Sequence, residues 1–314
     1  MTASRTRPGI ALLIGCLILA VGQAVLADDG RAETTHPTPD RILMVASDDG
    51  ALHQRVLSSL HRHIASNPVV LSQAVASTPR GDQQLEAFDC EGCLVVSSGV
   101  VALQAALERI RRARILAIAI PEESFERIMS AQSSPASVSA IYMDVSLERM
   151  VSITRARLVD VESIGIISGD GKYLQREQGR GHLPPENDMA LKEYNAAAEA
   201  DVVKVFQQAS RENQAILAIP DPRVYNRDTI VGIMLTTYRS GTPLIGYSEA
   251  LNRAGALMSV FSSPEMLGEE AGQHIAAALA AGSWQPMVRH TERHIVAINQ
   301  QVARSLRLRI KESP

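Results

Sequence analysis

The stretch that decides the fold is an apolar run followed at once by polar residues, Arg41-Ile42-Leu43-Met44-Val45-Ala46 and then Ser47-Asp48-Asp49-Gly50. A helical periodicity follows it. The same order recurs at Cys93-Leu94-Val95-Val96, which ends at Ser97-Ser98-Gly99 before a helix predicted over 100–112. Nearly continuous apolar strands that alternate with helices are typical of parallel sheets covered by helices on both faces.

Working outward, further strands are predicted at 114–120 and 138–144, and a second series of strands and helices follows at 147–308. A single sheet of so many strands would be unusually wide. The pattern therefore predicts an α/β fold with two doubly wound parallel-sheet lobes, which bind ligands outside the carboxyl ends of their strands.

Polar residues close several predicted strands and are expected to point at one cleft: Ser47, Ser97, Ser98, Ser168, Asp221 and Ser248. Serine hydroxyls suit a carboxylate or amide group, and the helix N-termini that follow favour negative charge. The alternative is that these serines only cap helices. Both interpretations stay open at this point.

The loop after the strand 215–219 carries Asp221, Tyr225 and Asn226. Asn226 offers both a donor and an acceptor to a ligand, whereas Asp221 can equally hold the turn set by Pro220 and Pro222. Tyr142 and Tyr225 would either stack on a ligand ring or pack at a hinge.

Several blocks are distinctive, among them 218–227, Pro243-Leu244-Ile245-Gly246-Tyr247-Ser248-Glu249-Ala250 and the terminal 296–304. From about 41 to 308 the chain resembles the ABC-transporter substrate-binding protein family that includes tryptophan-binding lipoproteins. The resemblance implies the type I periplasmic-binding fold, in which two lobes joined by three hinge crossings clamp a ligand.

Carried onto this chain, the resemblance implies a first lobe of 41–143 plus 263–292 and a second of 145–261 plus 294–311. Asp144, Ser262 and Arg293 would lie near the hinge crossings. Positions at or beside the family's cleft are matched by Ser47, Ser97, Ser98, Tyr142, Ser168, Asp221, Tyr225, Asn226 and Ser248. Ser97-Ser98 replaces the Gly-Thr usual in the family, which leaves the ligand open.

The N-terminus has the pattern of a cleaved export signal over 1–27, with Arg5 and Arg7 before an apolar stretch and small residues at Val25 and Ala27. A linker is expected over 28–40. An uncleaved anchor, or lipidation at Cys16, remains an alternative. Export predicts a periplasmic protein.

Removing Arg5 and Arg7 leaves 29 basic against 34 acidic residues, a net charge of −5, from −3 for the whole chain. Such a balance gives no electrostatic footprint for nucleic acid. Cys90 and Cys93 are the only cysteines after residue 27. Their pair precedes a strand, so a structural pair is favoured over a redox catalyst, which would open a helix.

We therefore predict a non-enzymatic, monomeric solute-binding component of an ABC importer that takes a small amino-acid-like ligand and no cofactor and contacts an inner-membrane permease. A sensor subunit is the alternative. An esterase using Ser248 is disfavoured, because Gly246-Tyr247-Ser248-Glu249-Ala250 lacks the last glycine of a nucleophile elbow. His61 and His63 lack helical ligand spacing, so no metal site is predicted.

Overall fold

Two separate six-stranded sheets organise the chain in the computed structural model, which describes residues 38–132, 137–183, 189–198 and 202–311. The predicted signal peptide, Cys16 and most of the predicted linker lie outside the described residues. The prediction of two doubly wound α/β lobes is confirmed.

The first half of the chain forms five strands and four helices in strict alternation. They are β1 (Arg41–Ala46), α1 (Ala51–Ile64), β2 (Val70–Val75), α2 (Pro79–Ala87), β3 (Cys93–Ser98), α3 (Val100–Arg109), β4 (Arg114–Ile120), α4 (Glu122–Ser130) and β5 (Val138–Tyr142).

The second half continues the alternation. It comprises α5 (Leu147–Arg157), β6 (Ser163–Ser168), α6 (Tyr173–Arg180), β7 (Ala190–Asn195), α7 (Val202–Glu212), β8 (Ala215–Leu217), α8 (Ile230–Ser240), β9 (Leu244–Gly246), α9 (Glu249–Ala254), β10 (Met258–Phe261), α10 (Pro264–Ala281), β11 (Val288–His290), β12 (Ile295–Ile298) and α11 (Gln300–Ser305).

The first sheet has the order β11-β5-β4-β3-β1-β2, with every pairing parallel. The second has the order β12-β10-β9-β8-β6-β7, and in it only β12 runs antiparallel to its neighbour. Each sheet therefore presents the carboxyl ends of its parallel strands at a single edge, where ligands of such sheets bind.

Within the described residues the chain passes between the sheets at three places, after β5, after β10 and after β11. The second passage returns α10 to the first sheet, where it packs closely on α1. Glycines at 268 and 272 permit this approach. A Cβ atom at 268 would overlap the carbonyl oxygen of Val56.

The burial of the strands explains why their sequences read as apolar runs. Every residue of β3 and β4 is buried, as expected for central strands covered by helices on both faces. The edge strand β7 alternates exposed and partly buried residues instead, which is why its pattern is weak in the sequence.

Three short helices, α2, α4 and α6, were not predicted from the sequence. They have only eight or nine residues each and are polar, so they carry few of the apolar residues that reveal a helix in a sequence. Local signals exist nonetheless: the hydroxyl of Thr78 caps α2 and Pro79 occupies its first turn. No described helix is both long and apolar enough to span a membrane.

Cys90 and Cys93 form a disulfide, with their Cα atoms 5.3 Å apart. Cys93 is fully buried at the start of β3, and Cys90 lies in the preceding turn. The bond therefore closes a tight turn at the edge of the sheet opposite to the carboxyl ends of the strands, in keeping with the predicted structural pair.

Candidate functional site

A small pocket of about 50 Å³ lies between the two sheets. Residues that follow β4, β5 and β8 line it, together with part of α6 and the end of β11: Pro121, Glu122, Glu123, Asp144, Val145, Leu147, Tyr173, Arg176, Arg180, Ile219, Pro220 and His290. The carboxyl ends of strands from both sheets therefore border one shared cleft.

Glu122 is the buried acidic residue at the centre of this cleft. Its backbone N–H donates to Oδ2 of Asp144 over 2.7 Å, which ties the start of α4 to the end of β5. Its own carboxylate lies 3.3 Å from Nε2 of His290. Burial alone would raise the pKa of Glu122, but the hydrogen bond and charge of His290, with Arg180 and His182, outweigh burial and lower it.

Arg180 and His182, from the second half of the chain, contact acidic residues of α4. Arg180 pairs with Glu126, lies 3.7 Å from Glu122 and donates over 2.6 Å to Glu177 of its own helix. Nδ1 of His182 lies 3.8 Å from Glu122. The two lobes therefore meet through charged side chains.

Two further carboxyl groups of the cleft hold their protons more tightly than usual. Burial, together with the charge of Glu122, raises the pKa of Glu177 to about 7. Burial also raises the pKa of Asp144 to about 6, although the N–H of Glu122 opposes the shift. Near neutral pH these two groups are therefore less fully ionised than ordinary carboxyl groups.

The predicted site residues of the first sheet form a group at the ends of β1 and β3. The hydroxyl of Ser47 donates to the carbonyl of Ser98 over 2.9 Å and accepts from the N–H of Ala102 in α3. The hydroxyl of Ser98 lies 2.9 Å from Nδ1 of His53. Burial lowers the pKa of His53, which favours the neutral imidazole.

The predicted residues of the second sheet form another group around Asp221 and Ser168. The buried carboxylate of Asp221 accepts from the N–H of Gly169 over 2.7 Å and from the guanidinium and N–H of Arg223. Ser168 donates to Glu193 and accepts from Gly171. Burial would raise the pKa of Asp221, but Arg223 and Gly169 outweigh it and lower the pKa.

Three predicted residues are buried in the lobes. Tyr142 packs edge-on against Phe125 and His290, just beneath the cleft. Tyr225 lies in the core of the second lobe, and its hydroxyl has no hydrogen-bond partner among the described residues. The hydroxyl of Ser97, in the first lobe, is fully buried and also has no hydrogen-bond partner among the described residues.

Asn226 and Ser248 make the bonds of capping residues. Oδ1 of Asn226 accepts from the N–H groups of Asp228 and Thr229 at the start of α8. The hydroxyl of Ser248 accepts from Leu251 over 3.2 Å at the start of α9. Within the described part of the chain no hydrogen bond joins a histidine to Ser248.

The predicted hinge residues lie where the chain passes between the sheets. Ser262 donates to the carbonyl of Arg293, which links two of the passages. The guanidinium of Arg293 pairs with Glu269 over 2.8 Å. Asp144, at the remaining passage, also lines the pocket.

The sequence pattern did not predict a binding role for five residues of this region: Glu122, Arg176, Arg180, His182 and His290. One signal was available: Glu122 directly follows a buried strand and Pro121, a position equivalent to the serines that were selected. The α6 residues gave no comparable signal, because that helix was not predicted.

No protein-family model matches the chain, and no curated protein matches it. Solved structures do. The ligand-free, open structure of a substrate-binding protein with adhesive properties from Clostridium difficile aligns with a TM-score of 0.63 and 13% identity, covering 88% of this chain and 96% of that one.

An ABC domain in complex with L-Trp from Streptococcus pneumoniae aligns with a TM-score of 0.54 and 15% identity over 88% of this chain and 97% of that one. A periplasmic ribose ABC transporter protein from Conexibacter woesei aligns with a TM-score of 0.50 and 13% identity, covering 87% of this chain and 96% of that one. The fold is thus that of the type I periplasmic substrate-binding proteins, as the resemblance implied.

Proposed function

We propose that this protein is exported to the periplasm, captures a small polar organic solute between its two lobes and delivers it to an inner-membrane ABC permease. The observation that carries the proposal is the shared cleft, bordered by residues that follow strands of both sheets. Burial of a solute there would couple binding to closure of the lobes about the three passages.

The charges of the cleft support an amino-acid-like solute. Glu123 and Asp144 line the pocket together with Arg176. Carboxylates would receive an ammonium group, and a guanidinium would receive a carboxylate in a bidentate arrangement. We propose Ser47, Ser98, Ser168 and Asp221 as further contacts with the solute at the strand ends.

The test is a thermal-unfolding screen of the mature protein, in EDTA, against amino acids, nucleosides, sugars and small organic acids. A ligand at 100 times its dissociation constant stabilises the folded state by about 2.7 kcal/mol, which such a screen detects. Compounds of one class should raise the unfolding temperature. If no compound of any class raised it, the proposal would be contradicted.

Variants then locate the site. Ser98→Ala and Glu123→Gln should reduce the ligand-induced shift. The matched controls should leave the shift unchanged. They are Ser163→Ala, at the amino end of β6 away from the cleft, and Glu148→Gln, on the exposed face of α5. Equal shifts in all four variants would move the site away from this cleft.

A further inference from the structure

Three side chains with metal-ligating atoms converge where the lobes meet. Glu122 begins α4, which follows β4 of the first sheet, and His290 ends β11 of the same sheet, whereas His182 follows α6 of the second lobe. One ligand atom from each lies within 4.8 Å of the other two. The group therefore draws on both lobes.

The atoms are near enough to form a tetrahedral zinc site once the side chains adjust. Bonds of 2.0–2.2 Å to Zn²⁺ at tetrahedral angles place neighbouring ligand atoms about 3.4 Å apart. The carboxylate of Glu122 lies 3.3 Å from Nε2 of His290 and 3.8 Å from Nδ1 of His182. Oε2 makes the shorter of these contacts and Oε1 the longer, and the ligand atoms of the two histidines lie within 4.8 Å of each other, so the side chains must move closer by up to about 1.4 Å to reach tetrahedral spacing.

Nδ1 of His182 is a buried nitrogen without a hydrogen-bond partner among the described residues. It points to Glu122 and to Glu177, at 3.8 and 3.7 Å, distances too long for hydrogen bonds. A buried polar atom left unpaired costs free energy. A cation between His182 and Glu122 would satisfy it.

The charge at this point also accommodates a dication. Arg180 lies near the carboxyl groups of Glu122, Glu126 and Glu177, so acidic groups outnumber this guanidinium. Neutral imidazoles add ligands without adding charge. A Zn²⁺ ion would add positive charge where acidic groups are in the majority.

We propose that Glu122, His182 and His290 bind one divalent transition-metal ion of the Zn²⁺ class and so link the two lobes in the closed form. Two imidazoles and one carboxylate favour Zn²⁺ over Mg²⁺ or Ca²⁺, which prefer oxygen ligands. Water or Glu177 would take the fourth position. Because the ligands come from both lobes, the metal would stabilise closure independently of the solute.

Calorimetric titration of the tag-free, mature protein with ZnCl₂ alone tests this. We expect one ion per chain and much weaker binding of Mg²⁺. His182→Ala and Glu122→Gln should weaken Zn²⁺ binding at least roughly 10–100-fold, since even loss of a group that only orients a ligand has that effect. His61→Ala, on an exposed face of α1, is the matched control and should bind as the wild type does.

Small-angle scattering supplies the second readout. Zn²⁺ should reduce the radius of gyration of the wild type but not of His182→Ala, which removes a side chain at the surface of the second lobe. Wild-type affinity in both cluster variants, loss of affinity in His61→Ala, or no stoichiometric binding would overturn the proposal. EDTA removes divalent metal from the solute screen. A negative screen would therefore contradict the proposed solute binding without bearing on the proposed metal site.

Discussion

Nε2 of His290 lies 3.3 Å from the carboxylate of Glu122, although the two residues belong to distant parts of the chain. The contact joins the end of β11 to the start of α4 within the first lobe. Arg180 and His182 then approach the same carboxylate from the second lobe. Glu122 is therefore one of the points at which side chains of the two lobes meet.

Replacing Arg180 should destabilise the closed arrangement. In Arg180→Gln, the carboxylates of Glu126 and Glu177 lose charged hydrogen bonds, so we expect the free energy of unfolding to fall by about 2 kcal/mol. Urea unfolding at pH 7.5 measures it. Arg253→Gln, which breaks an exposed pair with Glu249, should cost less than about 0.5 kcal/mol. Equal effects would argue against a lobe contact.

Asp221 should make stability depend on pH in the acid range. Its folded-state pKa is lowered, so its contribution is present above the ordinary aspartate pKa and is lost as the pH falls through the folded value. Asp221→Asn should be less stable than wild type at pH 7, by about 2 kcal/mol, and the gap should narrow below about pH 4.

Thermal unfolding at pH values from 7 to 3 measures this difference in stability between the wild type and Asp221→Asn. The exposed Asp160→Asn variant serves as the control and should show no such convergence. A gap between wild type and Asp221→Asn that stays constant with pH would show that the carboxylate has no special role.

The packing of α10 on α1 should not tolerate a larger residue at 268. Gly268→Ala places a methyl group against the backbone of Val56, and overpacking of this kind costs about 1–3 kcal/mol. Gly179→Ala in α6 is the control, because its new methyl group would have no atom within 4 Å. Alanine has a higher helix propensity than glycine, so the stability of this variant should be unchanged or slightly higher. A stable Gly268→Ala variant would mean that the helices separate readily.

The disulfide should contribute modestly, because it closes a short loop. Cys90 and Cys93 are three positions apart, and loop-closure entropy for so small a ring is about 2 kcal/mol. The double Cys→Ser variant should lose that amount in chemical unfolding. A reductant should lower the stability of the wild type to the same level and leave the variant unaffected; any further loss in the variant would contradict a disulfide effect.

The sequence by itself determined the sheets. Central strands such as β3 and β4 are buried on both faces, so they must be apolar throughout, and that requirement is local enough to read from the residues. The strand ends at Ser47, Ser98 and Ser168 follow from the same pattern. The choice between capping and ligand binding does not, because both uses select the same residue types.

Only the tertiary structure decided what fills the cleft. Glu122, His182 and His290 have no shared spacing in the sequence. Glu122 and His290 are brought together because β4 and β11 both pair with β5, and His182 joins them where the lobes meet. Sequence spacing can reveal metal ligands when they lie on the same helix, and these three residues do not. A site assembled from three distant segments depends on long-range packing, which sequence periodicity does not encode.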